Sequence, residues 1–432
     1  MVDKRLNVSL SLTDMAHGGS ALGRHEGKVV FVPYALPGEK VTVEILEDKR
    51  RFARARLLEL HAASPDRVVP PCPFFGECGG CQWQHAAYPA QLAFKTAIVR
   101  DQLIRLGKFA DPPVRDTLAS PEPWHYRNHA QLALDRRGLL GFRAAASRRI
   151  VPVDECLLLH PLLDELFLAL DLGADGDLPA LKRLSLRAGV NTGDQMIIFE
   201  TVGDEPPQLE VDFPVSCVLL LEDGTPVNLV GYNHITERVA GRVFRISAGS
   251  FFQVNTPQTE MLVRLVREYL APGGDETLLD AYCGVGTFGL TSAEEVGHVI
   301  GVESAITAVE DFRINAEGIE NVAILPGVVE EVLPNLEMPV DLAVVDPPRT
   351  GVHPEALAAL ARLAPQRIVY VSCDPATLAR DGRALAEAGF DLAVVQPVDM
   401  FPQTYHVETV SLWVIKGRRT FARKNVAKSD SV

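Results

Sequence analysis

Residues 1 to about 61 alternate apolar and polar side chains between turn residues. Residues 29–32, 40–45 and 53–60 predict strands, and 17–20, 26–28 and 36–39 predict turns. Short strands at this spacing predict a small β-barrel. A proline-rich stretch from Pro65 to Pro73 marks its boundary. The period then becomes helical from Tyr88 to Gly107, with Leu92, Ile98, Val99, Leu103, Ile104 and Leu106 as the apolar positions and Gly107 as the stop. Residues 112 to about 248 read as mostly β, with one helical stretch near 161–172. From about 258, helical segments alternate with apolar runs at 277–280, 299–303, 341–346 and 367–372. Such runs predict strands buried on both faces of a doubly wound parallel sheet. The pattern divides the chain into a barrel (1–61), a mostly β central domain (62–250), an α/β domain (251–417) and a basic tail (418–432) expected to be partly disordered. The helix at 88–107 is a candidate to pack on the α/β domain.

Composition adds a class and a compartment. The chain has 432 residues, 47% hydrophobic and 23% charged, which is ordinary for globular domains. No apolar run approaches the roughly 18–20 residues that span a bilayer, and the N-terminus has no apolar signal core. The expectation is a cytoplasmic protein without a membrane partner, and a monomer. The net charge of −14 argues against a nucleic-acid partner, yet it conceals basic clusters. Lys49, Arg50, Arg51, Arg54 and Arg56 fall in a window with no acid; Arg127, Arg136, Arg137, Arg143, Arg148 and Arg149 outnumber Glu122 and Asp135; Lys416, Arg418, Arg419, Arg423 and Lys424 close the chain. Three such clusters outside the acidic catalytic region are compatible with an RNA footprint, although each alone reads as a solvated face.

The strand ends of the α/β domain carry cofactor chemistry. Asp280-Ala281-Tyr282-Cys283-Gly284-Val285-Gly286-Thr287-Phe288-Gly289 follows the first strand and opens a helix, so Gly284 and Gly286 let backbone approach a ligand there. Glu303 ends the next strand, where an acid accepts hydrogen bonds from ribose hydroxyls. Asp346-Pro347-Pro348-Arg349 ends a later one. With no third spaced glycine, the set favours S-adenosylmethionine over a dinucleotide, and thus a Rossmann-like methyltransferase fold. Asp-Pro-Pro also occurs in amino-nitrogen methyltransferases, which place an aromatic ring after the prolines; here Arg349 stands in that place.

Two cysteine features stand out. Cys72, Cys78 and Cys81 lie close together among prolines and glycines, and Cys156 follows far downstream. Three near cysteines and a distant fourth form an iron–sulfur ligation pattern, with zinc as the competing metal. Disulfides are not expected in a cytoplasmic chain. Cys217 and Cys283 read as packing residues. Cys373, in Ser372-Cys373-Asp374-Pro375, precedes Glu408 by 35 residues. A thiol, a carboxylate and a methyl donor on one domain suggest methylation of a carbon that is not nucleophilic by itself: the thiolate adds to an activated ring and the carboxylate later removes a proton. The plainer reading is a packed cysteine and a surface acid.

These segments together resemble a known family. Ser250-Phe251-Phe252-Gln253-Val254-Asn255, the 280–288 loop, Asp346-Pro347-Pro348-Arg349-Thr350-Gly351, the run from Ser372 to Asp381 and Phe401-Pro402-Gln403-Thr404-Tyr405-His406-Val407-Glu408 are similar, in this order, to the RNA 5-methyluridine methyltransferases. The similarity is to the ribosomal RNA branch, with an N-terminal TRAM domain and a [4Fe–4S] cluster. The resemblance implies Cys373 as nucleophile, Glu408 as general base, cofactor contacts from Gln253, Tyr282, Gly284, Gly286, Thr287, Glu303 and Asp346, and cluster ligands Cys72, Cys78, Cys81 and Cys156. It implies a flipped uridine of 23S ribosomal RNA as substrate. Thr287 stands where relatives often carry Asn, and Gln403 where they often carry His; the Asn that some relatives have near 327–329 is absent. Transfer RNA as substrate, nitrogen methylation and a non-catalytic RNA-binding role are the alternatives. The transfer-RNA branch generally lacks both the barrel and the cysteines, which favours the ribosomal reading.

Overall fold

The computed structural model describes residues 6–135, 138–170 and 181–417. Arg136, Arg137, Arg418, Arg419, Arg423, Lys424 and the rest of the 418–432 tail lie outside the described residues. Strands β1 (Asn7–Met15), β2 (Ala21–His25), β3 (Lys28–Val32), β4 (Lys40–Asp48) and β5 (Phe52–Ala62) close into a barrel in the order β1-β2-β3-β5-β4. Val8, Leu10 and Leu12 point inward from β1 beside Val30, Val41, Val43 and Ala53. The first two strands were not among those predicted. The outward positions of β1 are Asn7, Ser9, Ser11 and Thr13, and Asn has a weak strand preference, which hides an otherwise regular alternation.

Helix α1 (Tyr88–Arg105) follows. Its Val99 and Leu103 belong to the core beneath the C-terminal sheet, so α1 packs chiefly on the α/β domain, against α8, while also touching β1 of the barrel. The central sheet has the order β12-β11-β10-β9-β6-β7-β8. Its strands are β6 (His129–Leu134), β7 (Leu140–Arg143), β8 (Ile150–Pro152), β9 (Leu181–Ala188), β10 (Gln195–Thr201), β11 (Ser216–Leu220) and β12 (Pro226–Val230). Helix α2 (Pro161–Ala169) covers one face through Leu163 and Leu166. The other face contributes Met196, Ile198 and Val218 to a core shared with the hairpin β13 (His234–Val239) and β14 (Arg242–Ser247).

The α/β domain carries α3 (Thr256–Leu270), β15 (Thr277–Ala281), α4 (Thr287–Ser292), β16 (His298–Glu303), α5 (Ile306–Asn315), β17 (Val322–Pro326), α6 (Val329–Val332), β18 (Leu342–Val345), α7 (Pro354–Leu363), β19 (Arg367–Ser372), α8 (Pro375–Glu387), β20 (Phe390–Val398) and β21 (Glu408–Ile415). The sheet order is β17-β16-β15-β18-β19-β21-β20. Successive residues alternate between its two faces: Leu278, Val344 and Val369 enter one core, and Leu279, Ala343, Val345 and Ile368 the other. The order reverses between β15 and β18, and ligands bind outside the carboxyl ends of strands at such a point. β21 runs antiparallel to β19, with Ser372 opposite Thr409. The first residue of β21 therefore sits at the same sheet edge as the residue that follows β19. Among the described residues, no helix is long and apolar enough to cross a membrane.

Candidate active site

That edge opens into a cleft of about 1700 Å³, its mouth included. Gln253, Tyr282, Gly284, Thr287, Glu303, Asp346, Cys373 and Glu408 all line it. Gly286 does not. It has φ +96°, caps α4, and a Cβ there would come within 2.5 Å of Leu290. Its glycine answers to a turn and to packing. Gly284 also has a positive φ, but an added Cβ would meet nothing within 4 Å, so this residue leaves ligand space open. Glu303 holds the loop: its carboxylate accepts from the Gly284 amide at 3.0 Å and from the Ser304 and Ala305 amides at 2.7 Å. The cleft thus has an acid, a glycine cradle and the apolar walls Phe252, Val328 and Val329, which suit a nucleoside cofactor. Cys283, expected to pack, is buried but also reaches the lining.

Cys373 follows β19 in a tight passage to α8. The Asp374 carboxylate caps that helix, accepting from Ala376 N at 2.8 Å and Thr377 N at 3.1 Å. Burial pushes the Cys373 thiol up to about 12; Glu408 and Asp346 add to this and Arg349 opposes it. Glu408 is buried, and burial followed by the Asp346 charge holds its carboxyl well above the usual range, again against Arg349. Burial raises Asp346 to about 7. Carboxylates sharing a dry site do not both ionise readily. Arg349 is the cation that favours both the thiolate and the carboxylate. With Phe251 and Phe401, it lines the cleft without having been assigned a role from sequence. Phe251, 69% exposed, stood in plain view as an aromatic beside Gln253.

The segment leading to Glu408 is held from several sides. Buried Lys95 of α1 pairs with buried Asp399 and donates to the Phe401 carbonyl at 3.0 Å. The Tyr126 hydroxyl donates to Pro402 O at 3.1 Å. Gln403 has φ +69°, and its amide pairs with that of Gln91 at 2.9 Å, outside the cleft lining. Its carbonyl accepts from the Gln82 and Trp83 amides at 3.1 and 3.0 Å.

Cys72, Cys78, Cys81 and Cys156 line a separate cavity of about 660 Å³ with Arg127 and several apolar residues. Burial raises Cys81 to about 12 and Cys156 to about 11, with neighbouring thiols adding to it and Arg127 opposing it. Among the described residues, no three His, Cys, Asp or Glu side chains converge as a site for a metal ion. The barrel's basic window is less free than its sequence suggests: Lys49 and Arg54 contact Glu47 at 3.0 and 3.4 Å, and Arg56 contacts Glu44 at 2.6 Å. Arg50 and Arg51 are exposed.

Comparison with known proteins bears on this arrangement. A family model for tRNA (uracil-5-)-methyltransferase matches residues 230–416, and a TRAM domain model matches residues 2–58. An uncharacterized RNA methyltransferase of Halalkalibacterium halodurans is 38% identical over 96% of this chain and 98% of its own. One of Gloeobacter violaceus is 39% identical over 94% and 95%. The crystal structure of the Pyrococcus abyssi tRNA (uracil-54, C5)-methyltransferase with S-adenosyl-L-homocysteine is 30% identical, covers 94% of this chain and all of its own, and superposes with a TM-score of 0.75. The chain belongs to the S-adenosylmethionine-dependent RNA uracil-5-methyltransferase family and carries an N-terminal TRAM domain.

Proposed function

We propose that the protein methylates C5 of a uridine in large-subunit (23S) ribosomal RNA, with Cys373 as nucleophile and Glu408 as general base. The observation that carries the chemistry is that both side chains line one cleft with the glycine cradle and Glu303; the ribosomal target rests on the cysteine set, which the resemblance ties to that branch. Uridine must leave its stack to present C5 and C6 together. Cys373 Sγ forms a bond to C6, and the C5–C6 π pair becomes an enolate with carbanion character at C5. S-adenosylmethionine, when bound, would supply the electrophilic methyl carbon to the C5 pair and leave as S-adenosylhomocysteine. The Glu408 carboxylate then takes the C5 proton, the C–H pair restores the C5–C6 double bond, and the Cys373 thiolate leaves. The resting thiol is held protonated, so its S–H proton passes to solvent as the Sγ–C6 bond forms, and Arg349 favours the thiolate. Gln253, Tyr282, Gly284, Thr287, Glu303 and Asp346 surround the cofactor's part of the cleft in this reading; Gly286 supports the turn.

Cys72, Cys78, Cys81 and Cys156 fit a [4Fe–4S] cluster. What supports the cluster over a single zinc ion is the spacing of three near cysteines and a distant fourth, together with the four thiols lining one cavity. The cluster would cross-link the 72–81 loop to the segment at 156, and no catalytic step needs it.

Transfer RNA is the second reading. The Pyrococcus transfer-RNA enzyme is similar over 94% of this chain, which leaves too few residues unmatched for the barrel to be absent from it. A barrel therefore does not by itself mark a ribosomal target. Labelled methyl transfer to 23S ribosomal RNA and to transfer RNA transcripts, with nucleoside mass spectrometry, separates the two. The proposal expects 5-methyluridine in the ribosomal transcript alone; product only in transfer RNA overturns the ribosomal assignment.

A further inference from the structure

The loop joining β1 and β2 reaches out of the barrel and touches both segments that carry the catalytic pair. It is a tight turn, with Ala16 N donating to Ser20 O at 2.9 Å and Gly19 N to Ala16 O at 3.0 Å. His17 Nε2 lies 3.7 Å from Asp374 Oδ2, and Asp374 directly follows Cys373. The His17 ring meets Tyr405 edge-on, centroids 6.4 Å apart, and Tyr405 lies three positions before Glu408. Gly19, at φ +84°, is pressed so closely on Tyr405 that a Cβ would fall 3.1 Å from its side chain. The Gly19 carbonyl accepts from the indole of buried Trp83 at 3.1 Å, and the Trp83 backbone holds Gln403.

A brace at this point has a physical purpose. Sheet pairing fixes Ser372 opposite Thr409, but Cys373 and the residues before Glu408 have left the ladder. Their reactive groups must address adjacent carbons of one ring, where a displacement of about 1 Å can cost on the order of a hundredfold in rate. We propose that the 16–20 loop of the barrel braces the Cys373 turn against the Glu408 segment, with His17 as a positioning residue for the reaction. The barrel then has two roles, one on RNA and one inside the catalytic site. This inference rests on the Cys373–Glu408 reading.

The test uses the full-length chain and RNA transcribed with 5-fluorouridine, in whichever of the two RNAs the wild-type protein methylates. Fluorine at C5 cannot leave as the proton does, so the methylated Cys373 adduct persists and its single-turnover rate can be read on a denaturing gel. His17→Ala removes a half-buried side chain and is expected to lower that rate about tenfold at saturating RNA. Affinities for RNA and S-adenosylmethionine should stay within about twofold, and His17→Gln should recover part of the loss. Gly19→Val, which drives a side chain against Tyr405, should slow the same step. A tenfold loss of RNA affinity with an unchanged saturated rate would overturn the brace in favour of an RNA contact. Wild-type rates and affinities in both variants would overturn it in favour of inert packing. Absence of adduct with the wild-type protein would instead overturn the catalytic reading itself.

Discussion

The Cys373 thiol is held in the protonated form by burial and by its neighbours. Burial, Glu408, Asp346 and Asp374 all push Cys373 up, and the Arg349 cation opposes them. A thiol with a pKa of about 12 has a thiolate fraction that grows about tenfold per pH unit across the neutral and mildly alkaline range. Iodoacetamide labelling of Cys373 in ligand-free protein, followed by peptide mass spectrometry, should therefore rise about tenfold per unit from pH 7 to 9; a plateau near pH 8 would contradict this environment. Glu408→Gln removes a group whose charge raises the thiol, so it should speed labelling at any pH at which Glu408 is ionised. Arg349→Leu should slow it. Cys373 and Glu408, which the structure brings to one cleft, could be singled out in the sequence because short motifs carry them. Arg349 was visible only as a departure from an aromatic position, and its influence comes from proximity in space.

The elements explain why some residues were legible and others hidden. The parallel strands β15, β16, β18 and β19 announced themselves as apolar runs because both faces are buried; the partly exposed edge strand β17 was not among the predicted runs. The link between α1 and the catalytic segment did not: Lys95 and Asp399 are 304 positions apart, and neither looks unusual locally. Both are fully buried, which costs desolvation unless the pair stays intact. Lys95→Met leaves Asp399 without its cation and should destabilise the α/β domain by about 3–5 kcal/mol, measured by chemical denaturation. Lys95→Met with Asp399→Leu should recover most of that. A single variant within about 0.5 kcal/mol of wild type would show that the pair does not hold α1. The barrel's basic window misled for a related reason: the acids that pair with it lie on β4 and just upstream, outside the window. Arg50 and Arg51 remain exposed, and replacing both by Ala should weaken RNA binding and make its dependence on log salt shallower by about two. An unchanged slope would place the phosphate contacts elsewhere.

At the scale of the molecule, the barrel, the cysteine cavity and the α/β domain converge on the segment before Glu408 through Gly19, Gln82, Trp83 and Lys95. Anaerobically purified protein should be brown and hold about four irons per chain if the cysteines carry the proposed cluster; stoichiometric zinc without sulfide would favour the other metal. The central claim is that Cys373 and Glu408 divide one covalent reaction between them. Glu408→Gln preserves the size of the side chain but cannot accept the C5 proton, while addition by Cys373 and methylation of C5 do not formally require that base. The most direct measurement incubates this variant with RNA and S-adenosylmethionine carrying a labelled methyl group, then resolves the products under denaturing conditions. A labelled protein–RNA band that disappears when Cys373→Ala is added is the expected result; wild-type turnover by Glu408→Gln with no such band would contradict this division of roles.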